Sequence, residues 1–460
     1  MRCTAQNVRA ITCLLVAAVL AIPSTAAEQA RQPNIVVILI DDTGYSDIGV
    51  QGGTDIPTPN IDSIAQAGTR CTNGYVSCPY CSPTRAGLIT GRYQQRFGHE
   101  FNEGVGRLPF GLPVTETTMA DRLRTLGYAT AAIGKWHLGR DSQFRARRRG
   151  FDEFYGTLGN TPFLHPQLVD SRIDGQPRRV EDPNFYTTDA YAARAVEFIN
   201  GHADKPFFLY LPFNACHGPT QTLEKYTARF PNIADMPRRQ YAAVLSALDD
   251  AVGAVLSTLR DKQLEEQTLV FFLSDNGGPM DKMGPNGSNN RPLKGQKGDT
   301  WEGAIRVPFF VQWKGVIPPG KVYAEPVISL DILPTAIAAA GGQPEPDWKL
   351  DGVDLLPYLT GKQTGPPHAA LFWRFGTQWA VRMGNWKLVQ GYDYAIAQPD
   401  PRPSMTKVTQ PLLFDLAADI GEAHDLAAQQ PEKVKELRTA WEAWNRENVE
   451  PAWSPQPRRR

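Results

Sequence analysis

The chain has 460 residues and a formal net charge of zero at pH 7, with 42% hydrophobic and 21% charged side chains. That composition excludes a disordered, collagen-like or multi-span membrane protein, and near-neutrality gives no electrostatic case for nucleic acid. The length exceeds what one hydrophobic core usually organises, so a large domain with a smaller companion is expected.

Arg2 and Arg9 flank the start of an apolar run at residues 11–22, followed by small residues at 24–27. This is the three-part pattern of a secretory signal, with cleavage after Ala26 or Ala27. The run is too short for the roughly 20 apolar residues of a spanning helix. Residues 1–27 therefore read as a signal peptide, and the mature protein as exported, periplasmic or secreted, without a membrane span. Its removal takes two basic residues and no acidic one, leaving a net charge of about −2. Four cysteines remain, Cys71, Cys78, Cys81 and Cys216, which is no disulfide framework. Whether Cys71, Cys78 or Cys216 pair is left open, and Arg458, Arg459 and Arg460 read as a solvated tail.

Residues 34–40 (NIVVILI) are continuously apolar and β-branched, as in a parallel strand buried on both faces, and they end at Asp41-Asp42. Runs at 128–133, 207–213 and 268–273 behave alike, stopping before Gly134-Lys135, Cys216-His217 and Asp275-Asn276. Helical patterns lie between them at 117–126, closed by Gly127, and at 239–259. The alternation predicts an α/β fold, a mostly parallel sheet sandwiched by helices. Ligands of such sheets bind beyond the carboxyl ends of the strands, where all four polar clusters gather. Residues 341–350 are rich in Pro and Gly and read as a linker. This gives a catalytic domain at 28–345 and a C-terminal α+β subdomain at 346–460. In the latter, 371–390 predicts two short strands turning at Gly384-Asn385, 412–416 another, and 431–445 a covering amphipathic helix.

Asp41, Asp42, Asp275 and Asn276 are short oxygen-bearing side chains, a hard ligand set suited to calcium or magnesium rather than zinc. One such pair can simply cap a turn; two in register favour a metal. Cys81 opens the run CSPTRAGLITG at a predicted helix start, where Pro83 suits the first turn and an anion meets the helix amino terminus, with Arg85 one turn on.

That run resembles the signature of the formylglycine-dependent sulfatases, in which C-x-P-S/T-R directs oxidation of the cysteine. Tyr80 departs mildly from it. A second signature of that family is similar to GYATAAIGKWH at 127–137, and the likeness continues through 274–278 and 294–303 to the C-terminal helix. The resemblance implies an alkaline-phosphatase-like fold. It implies Ca²⁺ held by Asp41, Asp42, Asp275, Asn276 and the formylglycine made from Cys81. Arg85, Lys135, His137, His217 and Lys297 then line a sulfate pocket, and a formylglycine-generating maturation enzyme becomes a partner. Asp275 is the candidate base for the attacking hydroxyl, His217 or Lys297 the acid for the leaving alcohol, and His137 the base for the second hydroxyl.

The expected activity is hydrolysis of sulfate monoesters. Export, chain length and the polar loop at 286–290 resemble bacterial sulfatases that act on sulfated polysaccharide or oligosaccharide. Asn160, His165 and Arg374, outside the signatures, are expected to contact the sugar. Competing readings are a phosphatase or phosphonate monoester hydrolase of the same superfamily, and an inactive secreted glycan-binding homologue. A cysteine at the nucleophile position and a metal set without histidines favour sulfate.

Overall fold

The computed structural model describes residues 31–102, 110–280, 285–393 and 407–453, so the expected signal at 1–27 lies outside it. From Gln32 onward the chain forms one compact unit, and the small sheet that follows residue 345 belongs to it.

The main sheet has ten strands. In spatial order they are Lys321–Tyr323, Thr69–Cys71, Phe309–Gln312, Thr268–Ser274, Asn34–Ile40, Phe207–Pro212, Ala129–Lys135, Glu153–Thr157, Gln167–Asp170 and Arg178–Arg179. The five strands from Thr268–Ser274 to Glu153–Thr157 pair in parallel, whereas Phe309–Gln312 and Gln167–Asp170 run antiparallel on either side. Asn34–Ile40 lacks polar alternation because both its faces are covered. Val36, Ile38 and Ile40 join one apolar cluster, and Ile35, Val37 and Leu39 join the other. Each such burial stabilises by about 1.5–3 kcal/mol before chain entropy is counted.

On the first face lies the helix Met236–Asp261, started by Asp235, whose carboxylate accepts from the Arg238 N–H at 2.9 Å. It is long and apolar enough to cross a membrane, but 78% of its apolar window is buried inside the protein, which makes it a core helix. The second face carries the helices Cys81–Thr90 and Ile332–Ala339, with Ala86, Leu88, Ile89, Ile332 and Leu333 in the core. The expected helix near 117–126 is Met119–Thr125, opened by a Thr118–Asp121 capping box.

The smaller sheet is antiparallel: Leu371–Phe375, Gln378–Met383, Trp386–Gln390 and Leu412–Asp415 in sequence order. The span 371–390 thus holds three strands where the sequence suggested two. The extra reversal sits at Gly376, whose φ of +63° a residue with a side chain rarely adopts. Helix Pro431–Asn445 covers this sheet through Trp441 on Trp379 and Trp444 on Phe372, with ring centroids 4.6 and 5.3 Å apart. Beneath the sheet, Lys387 Nζ lies 2.9 Å from Glu302 Oε1 and 2.8 Å from Glu422 Oε1, all three side chains buried.

Candidate active site

The central strands end level with one another. Ile40 pairs with Ser274 and Leu39 with Pro212, so Asp41-Asp42, Asp275-Asn276 and the segment 213–217 emerge at one edge. Backbone bonds continue the ladder past the strands: Asp275 N–H to Ile40 O at 2.9 Å, Asp41 N–H to Ala215 O at 2.8 Å and Cys216 N–H to Asp41 O at 2.6 Å. Lys135 closes the neighbouring strand. Gly134 before it has φ +132°, and a Cβ there would sit 2.0 Å from Pro212 O, so any side chain would drive the Lys135 strand from its partner. Asp42 and His137 take left-handed backbone at φ 56° each, an uncommon conformation for residues other than glycine.

Cys81 is the first residue of its helix and is fully buried, with Sγ 3.7 Å from Asp41 Oδ1. Arg85 donates from Nε and Nη2 to Asp275 Oδ2 at 3.1 and 2.7 Å and from Nη1 to Lys135 O at 2.8 Å; its Nη2 lies 3.4 Å from Asp41 Oδ2. Lys135 Nζ contacts Asp41 Oδ2. Lys297 Nζ lies 2.6 Å from Asp42 Oδ1, and His217 Nε2 lies 3.7 Å from Asp42 Oδ2. Three carboxylates and three fixed cations thus share one buried cluster.

Protonation follows from burial and these neighbours. Burial opposes ionisation of Asp41, yet Lys135, His217 and Arg85 hold its carboxyl well below the usual range. Burial, then the Asp41 charge, pushes Asp275 up to about 6. Burial pushes the Cys81 thiol up to about 12. Burial followed by Lys135 and Arg85 holds His137 well down, while burial and Lys297 bring His217 to about 4. Lys297 stays protonated against burial because Asp42 faces it.

Ligand atoms of Asp41, Asp42, Cys81 and Asp275 lie within 4.8 Å of one another, and Asp41 and Cys81 form a second such group with His217. Asn276 donates from Nδ2 to Asp42 Oδ1 at 2.7 Å, which leaves its buried Oδ1 without a partner. Three carboxylates and an orphaned amide oxygen fit a hard divalent cation. His137 Nδ1 is likewise buried and unpartnered.

Above the cluster opens a pocket of about 360 Å³ lined by Asp42, His217, Lys297, Tyr80, Asn102 and Asn160 together with three prolines. Of the residues expected at the sugar, Asn160 is at this mouth. His165 lies in the adjoining groove, its Nδ1 3.1 Å from Val180 O. Arg374 is placed elsewhere: its guanidinium donates to Glu100 Oε2 at 2.9 Å, Asn445 Oδ1 at 2.8 Å and Val449 O at 2.7 Å. An internal ion pair, not a pocket wall, occupies that arginine. In the polar loop 286–290, Asn286 is buried and donates to Asp42 O at 3.0 Å and Cys216 O at 2.9 Å. Tyr80 and Asn102 were not anticipated; Tyr80 was visible only as a departure from the signature. Cys71, Cys78 and Cys216 are free and buried.

The family model described as Sulfatase matches residues 33–342. The chain is 32% identical to N-acetylgalactosamine-6-sulfatase of Canis lupus familiaris, covering 90% of this chain and 85% of that one. It is 33% identical to arylsulfatase A of Homo sapiens, covering 89% and 87%. Among solved structures, Ps i-CgsB in complex with k-i-k-neocarrahexaose superposes with a TM-score of 0.83 at 33% identity, covering 93% of this chain and 95% of that one.

Proposed function

Because the chain belongs to the sulfatase family and is a sulfuric ester hydrolase, we propose that it removes sulfate from a sulfated polysaccharide or oligosaccharide outside the cytoplasm, using a formylglycine made from Cys81 and a bound calcium ion. The observation that carries this is the meeting of Asp41, Asp42, Asp275 and Asn276 with Cys81 beneath an open pocket ringed by Lys297 and His217. The export half rests on the signal pattern at 1–27, and the glycan half on a structural neighbour that holds a neocarrahexaose.

Burial pushes the Cys81 thiol up to about 12, so without a metal cation beside it the thiol is protonated at neutral pH and a poor nucleophile. Formylglycine supplies a hydrated aldehyde, with one hydroxyl to attack sulfur and a second to release sulfate. Asp41, Asp42, Asp275, Asn276 and residue 81 would hold calcium, which when bound would supply charge for the anionic ester and lower the pKa of that hydroxyl. Arg85 fixes Asp275 by two bonds and ties it to the Lys135 backbone, so the base for the first proton cannot swing away. Lys135 and Lys297 add cations at the same place, which favours a transition state with dispersed negative charge. Lys297, kept protonated by Asp42, lines the pocket beside His217 and can protonate the leaving alcohol. His137, buried with a free Nδ1, can accept the second hydroxyl proton.

The deciding experiment pairs mass spectrometry of the Cys81 peptide with turnover of matched aryl sulfate and aryl phosphate. Formylglycine and sulfate preference are expected. Unconverted Cys81 in protein that turns over sulfate, or a preference for phosphate, would remove the proposal.

A further inference from the structure

Residues 140–149 carry five arginines and one aspartate in a chain whose formal net charge is zero. Two short turns, Ser142–Phe144 and Ala146–Arg148, bury Phe144 and Ala146 and leave Arg147 and Arg148 exposed. Arg149 is the anchor: buried, it donates to Leu112 O at 2.6 Å, Pro113 O at 3.1 Å and Glu116 O at 2.6 Å. Fold stability therefore accounts for Arg149 and not for Arg148.

This segment borders two depressions that continue from the sulfate pocket. A groove of about 480 Å³ shares Asn160 with that pocket and is walled by Arg140, Arg145, His165 and Arg179. A second groove, of about 470 Å³, shares Arg145 with the first and adds Arg147 and Arg148. Arg145 is held in place by bonds to Arg140 O and Gly175 O, both at 3.0 Å. Among the residues that line the two grooves Asp174 is the one carboxylate, paired with Arg178 at 2.5 Å, and Glu181 beside them lies 3.3 Å from Arg179. Shared walls make the three depressions one path, and five arginines, Arg140, Arg145, Arg147, Arg148 and Arg179, line its two outer grooves.

We propose that this arginine track binds further sulfate groups of a polysulfated glycan chain while the pocket takes the ester being cleaved. The inference rests on the glycan reading above and adds where the rest of the chain lies. Guanidinium forks match the oxygens of a sulfate, and a row of them selects a polyanion over a singly charged ester. Because the track is open to solvent, its contribution falls as salt rises past the Debye regime of about 8 Å at 0.15 M.

The test uses the full-length enzyme, dextran sulfate as a binding probe and unsulfated dextran as its control. The double variant Arg148→Ser/Arg179→Ser is compared with Arg438→Ser, an exposed charge on the C-terminal helix. At low salt the double variant should bind dextran sulfate about tenfold more weakly, with a shallower salt dependence, while unchanged Tm shows that it folds. On a sulfated polymer, its kcat/KM should fall by a similar factor relative to that on aryl sulfate. Equal losses in Arg438→Ser, or equal binding of unsulfated dextran, would overturn the track. Absence of all sulfate ester turnover by the unaltered enzyme would instead sink the sulfatase proposal, and the binding arm would still judge the track.

Discussion

The pocket at the strand ends and the junction beneath the small sheet both bury charge, and they arrange it in opposite ways. At the junction, cation and anion alternate: Lys387 sits between Glu302 and Glu422, and Tyr75 OH donates to Glu302 Oε2 at 2.7 Å. At the pocket, three carboxylates crowd one another as well as Arg85, Lys135 and Lys297, an amide oxygen and an imidazole nitrogen lack partners, and a cavity opens on the cluster. Buried ion pairs are common structural features. Like charges gathered around unsatisfied atoms call for a ligand, and that pattern, rather than burial or a shifted pKa alone, separates a site from a scaffold.

The sharpest test of this contrast is at the nucleophile. Cys81→Ser keeps one hydroxyl and loses the second, so turnover should fall by about three orders of magnitude or more, with a mass gain matching trapped sulfate. Full multiple turnover would show that residue 81 is not the reacting group. Next comes Asp275→Asn, which should abolish calcium binding by elemental analysis and lower activity on the order of a hundredfold or more. Two zinc ions per chain, or unchanged metal content, would break the assignment. At the junction, Lys387→Met should instead cost about 3–5 kcal/mol of stability by removing the cation that sits between two buried carboxylates, read as a lower Tm, with kcat/KM of the folded protein close to normal. Comparable losses of kcat/KM at Lys387 and Lys135 would erase the distinction between the regions.

The smallest effect concerns His368, whose Nε2 is 2.8 Å from Asp331 Oδ1. Burial opposes its charge, but Asp331 raises its pKa above the ordinary value. A raised pKa means stability present below the unfolded value, near 6.5, and lost as pH climbs through the folded value. His368→Gln should therefore lower Tm by about 2–4 °C at pH 6, and the gap should shrink by pH 9. A gap that is flat or widening with pH would show that the pair does not carry this stability.

Much of the fold and site was legible because the relevant signals are local. A strand covered on both faces must be apolar throughout, and its polar stop at Asp41-Asp42 or Asp275-Asn276 is visible in the same ten letters. The structure brings Asp41, Asp42, Cys81, Arg85, Lys135, His137, His217, Asp275, Asn276 and Lys297 to one place. What sequence could not supply is pairing across distance. Arg374 looked like a free guanidinium because Glu100, its partner, lies 274 residues away. The 286–290 loop was legible only as polar; that the Asn286 amide fastens two backbone carbonyls, Asp42 O and Cys216 O, depends on residues far off in the chain. The reversal at Gly376 was hidden between two aromatic-rich strands that read as one.

The burial of Cys81 also sets a clock. All ten residues of the helix Cys81–Thr90 are buried, and no oxidising enzyme can reach a side chain enclosed in that way. The oxidation of Cys81 that we propose would therefore have to come while the segment is still unpacked, in the interval between synthesis and docking of the helix on the sheet. The proportion of active molecules is then decided by a race between two rates, not by an equilibrium. Faster folding would yield more molecules that are sound in structure and permanently idle.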